Sequence, residues 1–387
     1  MKKVAFVINN LGTGGVQKSL VNLLKEIESN YEVTLITFFA KKEEIEAIPK
    51  QVKIVVLKSP FKHLGMSRSD VSGKPFSYIA RAFWYILTKA FGRSFVIKLM
   101  GCFQRKIGTF DTAISYLHEG PQQNMYGGCN EFVLNKTVAV KKISWLHCDF
   151  GLCGANTQKS KRIYSSFDKI VACSEGCRVS FVKCLPDLAD ATSVVENCND
   201  YRVIREMAGD GVTYPPESFN IVSVARLSEE KGLDRAINAI GDCCERGYDI
   251  RYHIVGSGDQ ETKLMDLVNK KGLDDRVYFY GNKANPYPYI KNANLFLCTS
   301  YHEAAPMVFD ESACLGVPIL ATETTSTDEK LVATGYGFVC KNNDDDISRA
   351  LLEILGFSDC LDAIKERLRD GAFTNEKALS ALKKVLE

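Results

Sequence analysis

Long hydrophobic runs are missing from this chain. No stretch reaches the eighteen or so uninterrupted apolar residues that cross a bilayer, so no transmembrane helix is expected. The apolar run at residues 4–8 is too short for a signal-peptide core and ends in Asn9-Asn10. A cytoplasmic protein is expected, with any membrane contact peripheral and on the inner face of the plasma membrane. An excess of one charge is missing too: 49 Lys and Arg against 47 Asp and Glu leave +2, which gives nucleic acid no reason to bind the molecule as a whole. The 14 cysteines contain no CxxC pair. Cys148 with Cys153, and Cys173 with Cys177, lack the spacing and histidine company of a zinc site, so no metal is expected. Scattered through apolar segments of a long chain, these cysteines read as reduced core thiols.

What is present is a repeated alternation of short apolar strands and amphipathic helices over 387 residues, 45% of them hydrophobic. That length suits two domains of about 180–200 residues each. Residues 3–8 read as a buried parallel strand, followed by a glycine loop at residues 9–15 and a helix at 16–27. The loop's Gly14 and Gly15 let backbone approach a ligand at the helix N-terminus. Gln17 stands where the third glycine of a dinucleotide fingerprint belongs, and the next strand, 31–39, lacks a clear terminal acid for a ribose. A nicotinamide cofactor is therefore not expected. Further strands are read at 52–57, 112–116, 137–140 with 142–147, 169–173 and 191–195.

Residues 58–109 are the lopsided part, with ten Lys or Arg against Asp70 alone, a local charge of +9. Phe61, Phe76, Tyr78, Phe83, Trp84, Tyr85, Phe91, Phe95 and Phe103 are interleaved with these cations. Two readings fit: helices packed on the sheet with a solvated basic face, or a surface that meets anionic lipid headgroups and inserts aromatic rings at the boundary.

Residues 201–218 are turn-forming and poorly periodic, as a hinge linker reads. The domains are accordingly expected at 1–200 and 219–365, with residues 366–387 supplying a last helix that packs back on the first domain. After the strand at 220–225, Arg226 and Lys231 stand together where two cations could clamp a diphosphate. Two carboxylates, Glu303 and Glu311, with seven residues between them, lie where a loop turns into a helix with Pro306 in its first turn and Gly316 beyond its end. The pair sits between apolar strands at 294–299 and 317–321, and such strand ends are where α/β sheets bind ligands.

With that context, the stretch from Glu303 to Glu311 resembles the E-x7-E signature of the retaining GT-B glycosyltransferases of family 4, bacterial capsular and exopolysaccharide enzymes among them. Arg226 to Gly232 resembles the family's R-x4-K-G run. The stretch from Trp145 to Phe150 is similar to the one whose histidine, here His147, approaches the donor sugar. The resemblance implies an α/β GT-B fold in which two Rossmann-like domains with parallel sheets face across a cleft. It implies a metal-independent, retaining transferase that needs no cofactor and takes a sugar from a UDP- or GDP-type nucleotide sugar. The acceptor implied is a polysaccharide or lipid-linked oligosaccharide. Glu303 would bond the sugar hydroxyls and Glu311 the ribose, while Arg226 and Lys231 hold the diphosphate. Ala304, Ala305, Pro306, Met307 and Val308 would wall the donor, with Ala304-Ala305 replacing the usual Gly-Phe; Asn282 would lie near the base, and Gly14 and Gly15 beneath the acceptor and the donor phosphates. Two other classes stay open: a non-catalytic partner that binds sugar nucleotides, and a nucleotide-sugar epimerase of the same architecture.

Overall fold

Short, nearly continuous apolar runs are the pattern of strands buried on both faces of a parallel sheet. The computed structural model, which describes every residue except Thr13, Asp210 and Ser358, assembles those runs into two such sheets. The first unit comprises Met1–Cys198 and Asn375–Glu387. Its strands are β1 (Lys3–Asn10), β2 (Glu32–Phe39), β3 (Lys53–Val56), β4 (Ile107–Ser115), β5 (Thr137–Leu146), β6 (Lys169–Ala172) and β7 (Thr192–Val194). They are ordered β3-β2-β1-β4-β5-β6-β7, and every pairing is parallel.

The second unit, Asn199–Thr374, holds β8 (Phe219–Val224), β9 (Ile250–Val255), β10 (Val277–Phe279), β11 (Leu295–Cys298), β12 (Ile319–Thr322) and β13 (Gly337–Cys340). Their order is β10-β9-β8-β11-β12-β13, again all parallel. In each sheet the order reverses at one place, between β1 and β4 and between β8 and β11. Crossovers leave on opposite faces there, so the carboxyl ends of those strands open a crevice.

Several boundaries differ from expectation for physical reasons. β4 starts at Ile107, because its polar first half still pairs with β5 through an irregularity between Ile107 and Thr109. β5 runs unbroken through Lys141 and Lys142, whose stems lie along the sheet while their ammonium groups donate to the carbonyls of Val385 and Leu134. The expected linker at 201–218 opens with a helix, Tyr201–Met207, and Ile204, Ala208 and Tyr214 enter the core of the second unit. Its turn-forming Asp210, like Thr13 of the glycine loop, lies outside the described residues.

Among the described residues the tail holds three helices, Asp344–Gly356, Asp359–Asp370 and Glu376–Leu386. The last buries Ala378, Leu382, Val385 and Leu386 in the core of the first unit.

Under the second sheet lies a buried imidazole. His253 is 2% exposed and sandwiched between Tyr214, 3.7 Å away and nearly parallel, and Tyr278 at 5.5 Å. The Asn220 amide nitrogen donates to the carbonyls of Pro215 and Ser218, so its Oδ1 faces His253 Nε2 at 3.1 Å. Nε2 therefore carries the proton, and Nδ1 accepts from the Tyr280 hydroxyl at 3.0 Å. Burial, with the nearby Arg251 charge, pushes His253 down to about 4.

The unfolded chain takes up this proton near pH 6.5 and the folded chain only near 4. This group's contribution to stability is therefore lost as pH falls through that window, by at most about 1.4 kcal/mol per pH unit, and the loss saturates below it. Titration of the assigned His253 ring resonance by NMR should show a midpoint near 4; a midpoint near 6.5 would contradict the buried neutral imidazole.

Candidate active site

β8 ends at Val224, and the chain passes through Arg226 into a short turn, Glu229–Lys231, before the helix Leu233–Glu245. β11 ends at Cys298 and leads through Thr299 and Ser300 to Glu303. Because β8 and β11 are the neighbours at the order reversal, these two loops meet over the carboxyl ends of their strands. Lys231 Nζ donates to Glu303 Oε1 at 2.6 Å, with side chains only 21% and 13% exposed. The Ser300 hydroxyl donates to the same oxygen at 2.7 Å. Burial alone would lower the Lys231 ammonium, but the Glu303 carboxylate overrides it and holds the group above its ordinary value. The result is a preformed, charged cation–carboxylate pair at the place where α/β sheets bind ligands.

The backbone beneath this pair is tightly determined. Gly232 has φ +57°, and a Cβ there would stand 2.4 Å from the Thr299 carbonyl oxygen. Thr299 Oγ1 donates to the Gly232 carbonyl at 2.7 Å, tying the loop after β11 to the turn after β8. The Lys-Gly dipeptide therefore combines a charge with the close backbone approach that puts it in place.

The other expected site residues distribute as follows. Arg226 is close enough for its charge to oppose that of Lys231, but its guanidinium pairs with Glu230 at 2.8 Å and is 69% exposed. Pro306 caps the helix Met307–Cys314 with extended backbone instead of entering its first turn, so the helix has eight residues. Glu311 lies on that helix and is buried, together with Met307; Ala304, Ala305 and Val308 are half-buried around its start. Asp310, beside Glu311, is met by Lys330 at 3.3 Å and by the Asn199 amide at 3.5 Å. Asn282 is exposed on the loop after β10.

In the first unit, Gly14 caps the helix Gly15–Ile27 with extended backbone, and Gly15 has open space where a Cβ would stand. Gln17, which breaks the dinucleotide fingerprint, donates to Asn10 Oδ1 at 3.1 Å and to the Tyr126 hydroxyl at 3.3 Å. His147 follows β5, its ring centroid 4.6 Å from that of Tyr116 and parallel to that of Trp145. Burial, then the charge of His118, pushes it down to about 3, so the imidazole is neutral at physiological pH. Its Nε2 has no hydrogen-bond partner among the described residues.

Sequence reasoning passed over Ser300, which orients Glu303 from three residues away, a spacing that serine also adopts at ordinary caps. It also counted Arg93 among surface cations. Arg93 is fully buried instead, bonded to Glu119 and to the carbonyls of Gly120, Pro121, Asn124 and Tyr126, and it organises the loop after β4. Among the described residues, no group of three or more His, Cys, Asp or Glu could hold a metal ion.

Two parallel α/β units of this topology define the GT-B class of transferase folds. The structure of HepE from Anabaena, solved in complex with UDP, superposes with a TM-score of 0.68 over 100% of this chain and 98% of that one, at 15% identity. Within the second unit, residues 212–369 match the Glycosyl transferases group 1 family. An uncharacterized glycosyltransferase of Methanocaldococcus jannaschii is 24% identical over 168 residues, 42% of this chain and 41% of that protein. The putative colanic acid biosynthesis glycosyltransferase WcaL of Escherichia coli is 32% identical over 159 residues, 39% of this chain and 38% of that protein. The chain thus spans about two fifths of the length of these curated relatives.

Replacing Gly232 by Ala should lower stability by about 1–3 kcal/mol, since the new Cβ meets backbone and the positive φ is strained. A chemical-denaturation midpoint indistinguishable from that of the parent would show that the two loops are not locked together as described.

Proposed function

We propose that the chain is a retaining, metal-independent glycosyltransferase of the family 4 type, which moves a hexose from a UDP- or GDP-sugar to a glycan or lipid-linked oligosaccharide. The observation that carries this reading is the Lys231–Glu303 pair at the switch point of the second sheet, with Arg226 beside it. When the donor's diphosphate enters, Lys231 exchanges its carboxylate for a phosphate oxygen, and Arg226 leaves the exposed Glu230 for another. Glu303, released from Lys231 and still held by Ser300, accepts from the sugar hydroxyls. The buried Glu311 accepts from the ribose.

As the bond to the anomeric carbon breaks, charge grows on the departing diphosphate, and the two cations stabilise it there more than in the ground state. No enzyme carboxylate acts as nucleophile in this scheme, so attack and departure occur on one face of the sugar. The neutral His147, its Nε2 unbonded among the described residues, can donate to or accept from a hydroxyl without a change of charge. Support for the donor class comes from HepE, solved with UDP and with UDP-glucose. Support for the acceptor class comes from WcaL, described as a colanic acid biosynthesis enzyme.

The acceptor's location enters through residues 58–109. The helix Pro75–Phe91 buries only Thr88 of its 17 residues. Phe76, Ile79, Phe83 and Ile86 recur at steps of three and four along one face, and they are 88%, 64%, 53% and 64% exposed. The next helix, Arg93–Gly101, adds exposed Phe95 and Leu99, and Phe103 follows it. Lys74, Lys89, Lys98, Arg105 and Lys106 are exposed around this apolar surface, while Phe61 and Arg93, counted with it in the sequence, are core residues. Apolar rings framed by cations complement an anionic lipid surface, and the protein docks there on the membrane that presents its lipid-linked acceptor.

Two experiments test these readings. A thermal-shift screen of UDP- and GDP-sugars should find a stabilising donor, worth about 2.7 kcal/mol at a hundredfold excess over Kd. Lys231→Ala should cut nucleotide release from that donor by about 10²–10³-fold; full turnover in the variant would remove the phosphate role. Separately, the protein should float with phosphatidylglycerol-containing vesicles, less so at high salt and not with phosphatidylcholine alone, and Phe76→Glu with Phe83→Glu should abolish flotation. Absence of the parent protein from anionic vesicles would sink the docking surface.

A further inference from the structure

The loop that presents Glu303 is built from residues 299–303, and its carbonyls point into the protein toward two side chains that belong to neither recognised motif. Arg235, on the helix after Gly232, is 2% exposed. Its Nη1 donates to the Asn342 side-chain oxygen at 2.7 Å and to the Thr299 carbonyl at 3.4 Å, and its Nε donates to Asp344 at 2.8 Å. The guanidinium also lies over the Tyr301 ring, 4.4 Å from its centroid.

Asn342 follows β13, and Arg235 fixes its orientation by occupying Oδ1. Its Nδ2 then turns to the Glu323 carbonyl after β12, at 2.9 Å, and to the loop carbonyls of Tyr301 and Ser300, at 3.2 and 3.4 Å. Thr322 Oγ1 donates to the Ser300 carbonyl at 2.6 Å from the same side. Opposite, the Tyr301 N–H donates to the carbonyl of Glu230, the residue before Lys231.

We propose that Arg235 and Asn342 are positioning residues for the Lys231–Glu303 pair: a fixed amide donor, held by a buried guanidinium, draws the carbonyls of 300 and 301 inward and so aims Glu303 at the donor sugar. This rests on the reading of that pair as the donor site. The pair competes internally with the donor, because Glu303 must leave Lys231 before phosphate takes its place. A loop that no longer holds Glu303 in place costs nothing in diphosphate binding, which needs only Lys231 and Arg226. It does cost the sugar its hydroxyl partner. The expected signature is a split: nucleotide affinity kept, turnover lost.

Asn342 is half-exposed and suits the test better than the buried Arg235, whose replacement would disturb the fold. Asn342→Asp keeps an oxygen for Arg235 and removes only the donor, while Asn342→Ala removes both. UDP and GDP affinities by calorimetry, melting temperature, and nucleotide release from a panel of UDP- and GDP-sugars are measured for the parent, both Asn342 variants and Lys231→Ala.

Both Asn342 variants should bind the nucleotide within twofold of the parent yet release it from donor at least tenfold more slowly. Lys231→Ala should lose both. Parental turnover in Asn342→Asp overturns the proposal, as does a parallel fall in affinity, melting temperature and turnover, which marks a structural role only. Lys231→Ala behaving as the parent, or a parent that releases nucleotide from no donor, overturns the reading of the site and the proposal with it.

Discussion

A single ion pair fixes the geometry of the second unit's working end. Lys231 and Glu303 come from loops after two different strands, and a 2.6 Å contact between largely buried charges forms only if both loops are held to within a fraction of an ångström. Removing charges from water is costly, so a pair of this kind adds little net stability compared with apolar packing. On the proposed reading, its place beside a second cation is better explained by what each partner would do when separated: the lysine as a phosphate ligand, the glutamate as a hydroxyl acceptor. Paired with each other, neither group is left without a partner.

That arrangement depends on sheet topology more than on any local feature. Parallel strands bring all carboxyl ends to one edge, and the order reversal between β8 and β11 leaves room there for two loops to converge. The close approach of Gly232 to Thr299 then sets their separation. In the first unit the same reversal, between β1 and β4, gathers the glycine loop and the segment after Ser115. There the tie is Asn9 Nδ2, which donates to the Gly127 carbonyl at 3.1 Å, while the buried Arg93 guanidinium braces the loop after β4. The two halves thus repeat one plan with different ties.

What was legible in the chain follows from how local each signal is. Continuous apolar runs bounded by glycine and polar residues marked the strands, because burial on both faces leaves no alternation to confuse. Lys231 and Glu303 stood out as candidates from motif spacing and strand context. That they would bond each other was hidden, since the contact joins residues 72 positions apart. Arg93 looked like Arg81 or Lys98 because its partners, from Glu119 to Tyr126, lie 26 to 33 residues away. The segment 201–218 misled for a different reason: its glycines and prolines are real turn signals, but the seven-residue helix before them is amphipathic over too few turns to register. Ile204 packs into the second unit's core even so.

The helix Pro75–Phe91 is the element least explained by the fold that carries it. Helices in water are held mainly by an apolar face packed on a core. This one buries a single threonine, and its apolar stripe faces outward. The charge around it has no counterpart elsewhere: with +2 overall and +9 in residues 58–109, the remainder of the chain carries −7. An anionic surface would attract this segment and repel the rest of the chain, so the charge distribution is polar in the direction the proposed docking needs. The same helix ends at Gly92, next to Arg93, whose bonds organise the loop after β4. The exposed stripe is thus joined along the chain, within one unit, to the loop at that unit's switch point.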